Sequence, residues 1–153
     1  MNCQAPPTAR GQPTRDNPPR MATIRKEILI DTTPEAAWDA LREVGALHTR
    51  LVAGFVTDTK MEGNTRVVTF GNGTVAQEEI ISIDATQKRV AWAIVGQGYH
   101  HFNGAAQIFE NSKGGVRIVW ITDLLPDSLA GQIDAAMTKG IAAMKKTLES
   151  AGT

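Results

Sequence analysis

From residue 53 to residue 124 apolar and polar side chains alternate with a period of two, the spacing of strands that bury one face. The alternation breaks only at short runs of turn chemistry: Glu62-Gly63-Asn64, Gly71-Asn72-Gly73, Asp84–Gln87, Gly96-Gln97-Gly98 and Lys113-Gly114-Gly115. Strands are therefore expected near 54–61, 65–70, 74–84, 88–96, 100–110 and 115–124. Connections this short cannot carry a parallel crossover, so sequential neighbours pair antiparallel. Ile24, Ile28, Leu29 and Ile30 mark one more strand over Met21–Asp31, which makes seven.

Helices bracket this block. Thr33-Pro34-Glu35 supplies a hydroxyl N-cap, a proline at the first helical position and an acid in the first turn. Trp38, Leu41 and Val44 then recur every third residue, Gly45 ends the helix, and Ala46–Leu51 forms a second short one. Pro126-Asp127-Ser128 opens a long helix to about residue 150. Its apolar stripe is Leu129, Ile133, Met137, Ile141, Met144 and Leu148. The expected fold is α+β: a curved seven-stranded antiparallel sheet around a long C-terminal helix, with two short helices between strands 1 and 2.

The 153 residues suit one domain, with 42% apolar residues and sixteen basic side chains against sixteen acidic. That balance excludes a disordered chain or a coiled coil. It also argues against a general nucleic-acid binder, which needs a basic surplus to release counterions. Five of the seven prolines lie in residues 1–20, which hold no Ile, Leu, Val or aromatic residue. A disordered proline-rich tail is expected over 1–21, ahead of a folded domain over 22–150. No apolar run resembles a secretory signal or a membrane span, so the expectation is a cytoplasmic protein without stable membrane insertion. Cys3 is the single cysteine, which rules out a disulfide within the chain and any site needing two thiolates.

A long helix gripped by a curved sheet leaves room between the two unless large side chains fill it. Gly140 lies on the apolar stripe, where glycine costs about 1 kcal/mol relative to alanine. Either another backbone approaches there, or the helix is thinned to leave volume. Ala136, Ala142 and Ala143 add to the small surface. Ala91, Ala93, Gly104, Ala105 and Ala106 are small for a sheet core, and Trp92 and Trp120 are the bulky counterweights. Trp92, Trp120, Phe70, Met137, Gly140, Ile141 and Met144 are the expected lining of an internal pocket. The plainer alternative is ordinary packing with methionine as gap filler.

Polar chemistry is sparse. His100 and His101 are adjacent on a strand and so point to opposite faces, and His48 is distant in sequence. No metal-ligand spacing is present, and neither a metal nor a cofactor is expected. Tyr99-His100-His101-Phe102-Asn103 is the densest polar and aromatic cluster. One of its histidines is expected to point inward, where it acts as a general acid or base or simply as a hydrogen-bonded group at a strand end. Glu79 shares a face with Ile81 and Ile83, which places it inside or, alternatively, on a solvated face. Gln107 and Asn103 are further candidates for ligand contact. If Trp120 faces inward, so do Ile118, Thr122 and Leu124, with Asp123 outward. Gly96-Gln97-Gly98 is no dinucleotide fingerprint, since His101 replaces the third glycine and no helix follows.

Three segments together resemble the SRPBCC superfamily, the START-like helix-grip proteins, and most closely its polyketide cyclase/dehydrase-like branch. They are Thr33-Pro34-Glu35-Ala36-Ala37-Trp38, the spacing Glu79…Asp84…Arg89-Val90-Ala91-Trp92, and Gly115-Val116-Arg117-Ile118-Val119-Trp120 leading through Asp123 and Pro126 into the last helix. The resemblance covers about residues 22–150. It implies a hydrophobic pocket between sheet and C-terminal helix, and apolar small molecules as ligands. It carries over no catalytic set. Three readings stand at this point. The first is a binding protein for a lipid, polyketide or aromatic metabolite, with His101, Asn103 and Glu79 orienting its polar end. The second is a cyclase or dehydratase that uses His101, His100 or Glu79. The third is a partner-binding regulatory module. A homodimer is compatible with all three.

Overall fold

The computed structural model describes residues 21–151. The expected tail before Met21, and Cys3 with it, lies outside the described residues. Seven strands form one antiparallel sheet: β1 (Ala22–Ile30), β2 (Val56–Glu62), β3 (Thr65–Phe70), β4 (Val75–Asp84), β5 (Arg89–Ile94), β6 (His101–Glu110) and β7 (Val116–Leu125). Their order is β1-β7-β6-β5-β4-β3-β2. The sheet curves without closing into a barrel, so β1 and β2 are its edges. Helix α1 (Pro34–Leu41) and one π-helical turn (Leu47–Leu51) lie between β1 and β2. A 3₁₀ turn (Asp127–Leu129) leads into α2 (Ala130–Ala151), which the sheet grips. This is the helix-grip arrangement expected from the alternation and the last apolar stripe. No helix among the described residues is long and apolar enough to cross a membrane.

Local chemistry accounts for the element starts. Thr33 Oγ1 accepts from the Ala36 N–H at 3.1 Å, and Pro34 occupies the first turn of α1. Gly115 is required twice over: its φ is +76°, and a Cβ there would lie 2.6 Å from the Ile30 carbonyl oxygen. Three polar ties hold α2 to β1 and the residue after it. Lys26 pairs with Asp134 at 2.6 Å, Lys145 donates to the Leu29 carbonyl, and Glu149 accepts from the Asp31 N–H. The core between sheet and helix is anchored by Ile30, Val116, Ile118, Leu124 and Met137, all essentially without solvent contact.

One boundary differs from the sequence reading. Helix α1 ends at Leu41 and does not run on to Gly45, so Val44 is not part of its apolar face. The Val44 N–H bonds the Arg42 carbonyl at 2.9 Å in place of a helical partner, and the Val44 carbonyl accepts from Arg66 Nη1 at 3.3 Å.

Candidate functional site

Sheet, π-helical turn and α2 enclose a cavity of about 850 Å³. Its deep walls are built from inward residues of β3 to β7, among them Val68, Val90, Trp92, Phe102 and Ala106. Met137 and Met144 close it from α2, as their place on the apolar stripe implied. The lining reaches the surface at Gly54, Asn72, Thr74, Gln97, Gln132 and Lys139. The mouth therefore lies between the β3–β4 turn, the β5–β6 loop and the first half of α2. Phe70 stands near it, edge-on to Phe55 at 5.3 Å between ring centroids. Tyr99 packs on Phe102 at 4.9 Å, and burial pushes its phenol above the ordinary tyrosine range.

The wall formed by β3 and β4 carries a charged pair. Arg66 and Glu78 are register partners across the hairpin and are only 3% and 7% exposed. Arg66 donates to Glu78 Oε1 from Nε at 3.0 Å and from Nη2 at 2.7 Å. Nη1 goes to the Val44 carbonyl, and the guanidinium lies 5.4 Å from the centre of the Trp92 ring. Both bonds to Glu78 end on Oε1. Oε2 accepts none from the described residues, and Glu78 borders the cavity. The pair is neutral as a whole, which is how two charges survive in an apolar wall.

The wall formed by β7 and α2 is different. Trp120 faces inward with Ile118, Thr122 and Leu124, while Asp123 turns outward and accepts from Thr23 Oγ1 at 2.6 Å. The Trp120 ring centre lies 6.3 Å from that of Trp92. Trp120 Nε1 is buried and has no hydrogen-bond partner among the described residues.

Several sequence expectations need correction here. Glu79 is exposed, as are Ile81 at 61% and Ile83 at 49%. The inward face of β4 is Ala76, Glu78 and Ile80, because Val68 and Arg66 pair with Ala76 and Glu78. A shift of one residue exchanges the two faces of a strand, and of the two placements open for Glu79 the solvated one holds. A bulge between Ile80 and Ser82 further breaks the alternation. The acid inside the cavity is thus Glu78.

The histidines are not inside either. His100 and His101 are both exposed, His100 in the loop and His101 on the outer face of β6. His101 Nε2 bonds Asn103 Oδ1 at 2.7 Å along that outer face. Phe102 and Gly104 take the inward positions, which leaves His101 and Asn103 away from the cavity. Gln107 is outward as well and donates to the Gln87 carbonyl at 3.1 Å. It borders a separate surface hollow beside Pro34 and Glu110.

The small residues also divide by face. Gly104 and Ala106 face inward, whereas Ala91, Ala93 and Ala105 lie on the other face of the sheet, where Ala91 and Ala105 are nonetheless buried. Gly104 and Gly140 do not thin the wall, because indoles occupy both. A Cβ at Gly104 would lie 2.7 Å from the Trp92 ring, and one at Gly140 would lie 2.8 Å from the Trp120 ring. At Gly140, then, a side chain approaches and no backbone does. Ile141 is buried but does not border the cavity. Of the expected lining, Trp92, Trp120, Phe70, Met137 and Met144 border it. Arg66 and Glu78 escaped the sequence reading. Their signal was positional, since each stands six residues from Asn72 at the centre of the β3–β4 turn.

The same architecture recurs in solved structures. A putative uncharacterized protein from Bacillus thuringiensis superposes with a TM-score of 0.74 at 13% identity, over 83% of this chain and 98% of that one. A Nitrosospira multiformis protein gives 0.71 at 12% identity, over 82% and 94%. Norcoclaurine synthase from Thalictrum flavum, solved with dopamine and hydroxybenzaldehyde, gives 0.65 at 16% identity, over 85% of each chain. At such identities the likeness concerns the fold. No curated protein sequence matches the chain. The family model described as polyketide cyclase / dehydrase and lipid transport matches residues 21–150, nearly the whole described chain, and the protein belongs to that family.

Proposed function

We propose that the protein binds an amphipathic small molecule whose apolar body lies between the aromatic walls and whose polar end donates a hydrogen bond to Glu78 Oε2. The observation that carries this reading is the 850 Å³ cavity with a neutral, buried ion pair in its wall. At about 24 cal/mol per Å³, a dry void of that size would cost more than a domain's entire stability. Water or a ligand must therefore fill it. Water filling leaves the apolar walls hydrated, and a ligand that replaces that water gains the burial energy of both surfaces. Covering Glu78 Oε2 without a donor would cost about 1–3 kcal/mol, so a hydroxyl-bearing or amide-bearing ligand is favoured over a pure hydrocarbon. Family membership supports an apolar ligand in general.

A general acid–base role for a histidine has no support in this geometry, since neither His100 nor His101 reaches the cavity. Uptake of the neutral dye Nile red, followed by its fluorescence and by native mass spectrometry, tests the binding reading. Ala76 is buried in the cavity wall, and Ala76→Trp fills that space from the side. The parent protein is expected to take up the dye and release it to n-decanol, and Ala76→Trp to bind it about tenfold or more weakly. Absence of binding by the parent of both Nile red and the hydrogen-bond donor 2-naphthol, or equal uptake by Ala76→Trp, would sink the reading.

A further inference from the structure

We infer that Gly140 sets the size of ligand the cavity accepts, acting through the Trp120 indole that it seats and touching no ligand itself. The inference rests on the binding reading above. A Cβ at residue 140 would lie 2.8 Å from Trp120 Cζ3, 3.0 Å from Cη2 and 3.1 Å from Phe55 Cε1. Ordinary contact between carbons is about 3.5–4.0 Å. The outer edge of the six-membered ring thus occupies the notch that the missing side chain leaves in α2.

No protein group tethers the ring there, because Nε1 is buried without an acceptor among the described residues. Trp120 borders the cavity and Gly140 does not. A methyl group in the notch therefore drives the ring away from α2 and into the open volume by roughly 0.7 Å or more. Glycine is among the poorest residues for a helix interior. Its presence in the middle of a 22-residue helix, against an indole, is accounted for by this seat. Gly104 repeats the device on the sheet, where a Cβ would meet the Trp92 ring at 2.7–2.8 Å. Each of the two cavity tryptophans is thus drawn back against a glycine.

The test uses rigid hydroxylated rings of rising width, namely phenol, 2-naphthol, 9-phenanthrol and 1-hydroxypyrene, each competing with Nile red on the full chain. For Gly140→Ala, phenol and 2-naphthol are expected to stay within about threefold of the parent while 1-hydroxypyrene weakens about tenfold or more. Trp120→Leu combined with Gly140→Ala should restore the widest ligand, since the ring that transmits the methyl group is gone. The three tryptophans give three indole N–H resonances by nuclear magnetic resonance. That of Trp120, assigned by its absence in Trp120→Phe, should move in Gly140→Ala while that of Trp38 stays.

An equal loss for all four ligands, an unmoved Trp120 resonance, or no restoration in the double variant would each overturn the inference. Failure of the parent to bind any of the four would remove the binding reading itself, and the size rule with it. The parent's behaviour distinguishes the two failures.

Discussion

The wall built by β3 and β4 carries a charged pair whose groups are matched to each other, whereas the wall built by β7 and α2 carries an indole N–H with no acceptor among the described residues. The first wall is specified by register: Arg66 and Glu78 oppose each other across a hairpin, and each would be a costly orphan alone. The second is specified by shape, since Trp120 stays where Gly140 gives it room. One wall can discriminate by hydrogen bonding and charge, the other by volume. A ligand that satisfies both has a polar donor at one end and a bounded width at the other.

The largest expected effect breaks the matched wall. Arg66→Met leaves the Glu78 carboxylate buried and unpaired, and Glu78→Leu strands the guanidinium. Each single change should cost about 3–5 kcal/mol in urea unfolding. The double change Arg66→Met with Glu78→Leu should recover most of that loss, because well-packed apolar residues can replace a buried pair almost neutrally. Singles that each cost under about 1 kcal/mol would mean the pair is hydrated, and the contrast between the walls would dissolve.

Trp120 tests the other wall. Trp120→Ala removes the ring from the notch and should cost about 3 kcal/mol. Trp120→Phe should cost only about 1 kcal/mol, since the lost N–H meets no acceptor among the described residues. The same experiment on a partnered indole would show a wider loss. If Trp120→Phe proves as harmful as Trp120→Ala, the indole nitrogen has an acceptor in solution and packing does not act alone.

These two walls were unequally legible in the sequence. Elements announced themselves through local chemistry: the glycine-bearing turns, the Thr33-Pro34 cap, and the stripe ending in Met144 and Leu148. Trp92, Trp120, Phe70, Met137 and Met144 could be assigned to the cavity because bulk on an inward face has few other places to go. The polar wall was hidden because a period of two does not state its phase. Glu79 beside two isoleucines could stand inside or on a solvated face, and the choice of Glu78 depended on Arg66 twelve residues earlier. Local signals fixed elements, and long-range pairing fixed faces.

A smaller effect is expected at the mouth, where the walls meet. Tyr99 is the chain's single tyrosine, so tyrosinate absorbance reports it without interference. Burial raises its pKa above the ordinary value near 10. The unfolded chain then ionises first as pH rises. The stabilisation is fully present below about pH 10 and declines as pH climbs toward the raised folded value. The titration midpoint should fall to about 10 in urea. A ligand that covers the ring should raise the midpoint further. A folded midpoint at or below the urea value would mean that the mouth is open water around Tyr99.

The smallest expected effect belongs to residues on neither wall. His101 is exposed on the outer face of β6, bonded to Asn103, and Asn103 lies opposite Asp123, which holds Thr23. These four polar groups form a row across β6, β7 and β1 on the side of the sheet away from α2. His101→Ala should change stability by less than about 0.5 kcal/mol, as exposed substitutions do. It should leave Nile red uptake and the preference among hydroxylated rings unaltered. A loss of uptake in His101→Ala would mean that the β5–β6 loop shapes the mouth from outside. The two-wall comparison would then need a third member, because Tyr99 and Gln97 in that loop already border the cavity. An unaltered preference confines ligand discrimination to Arg66, Glu78, Trp120 and the glycine that seats it, and so sharpens the contrast from the side where nothing was changed.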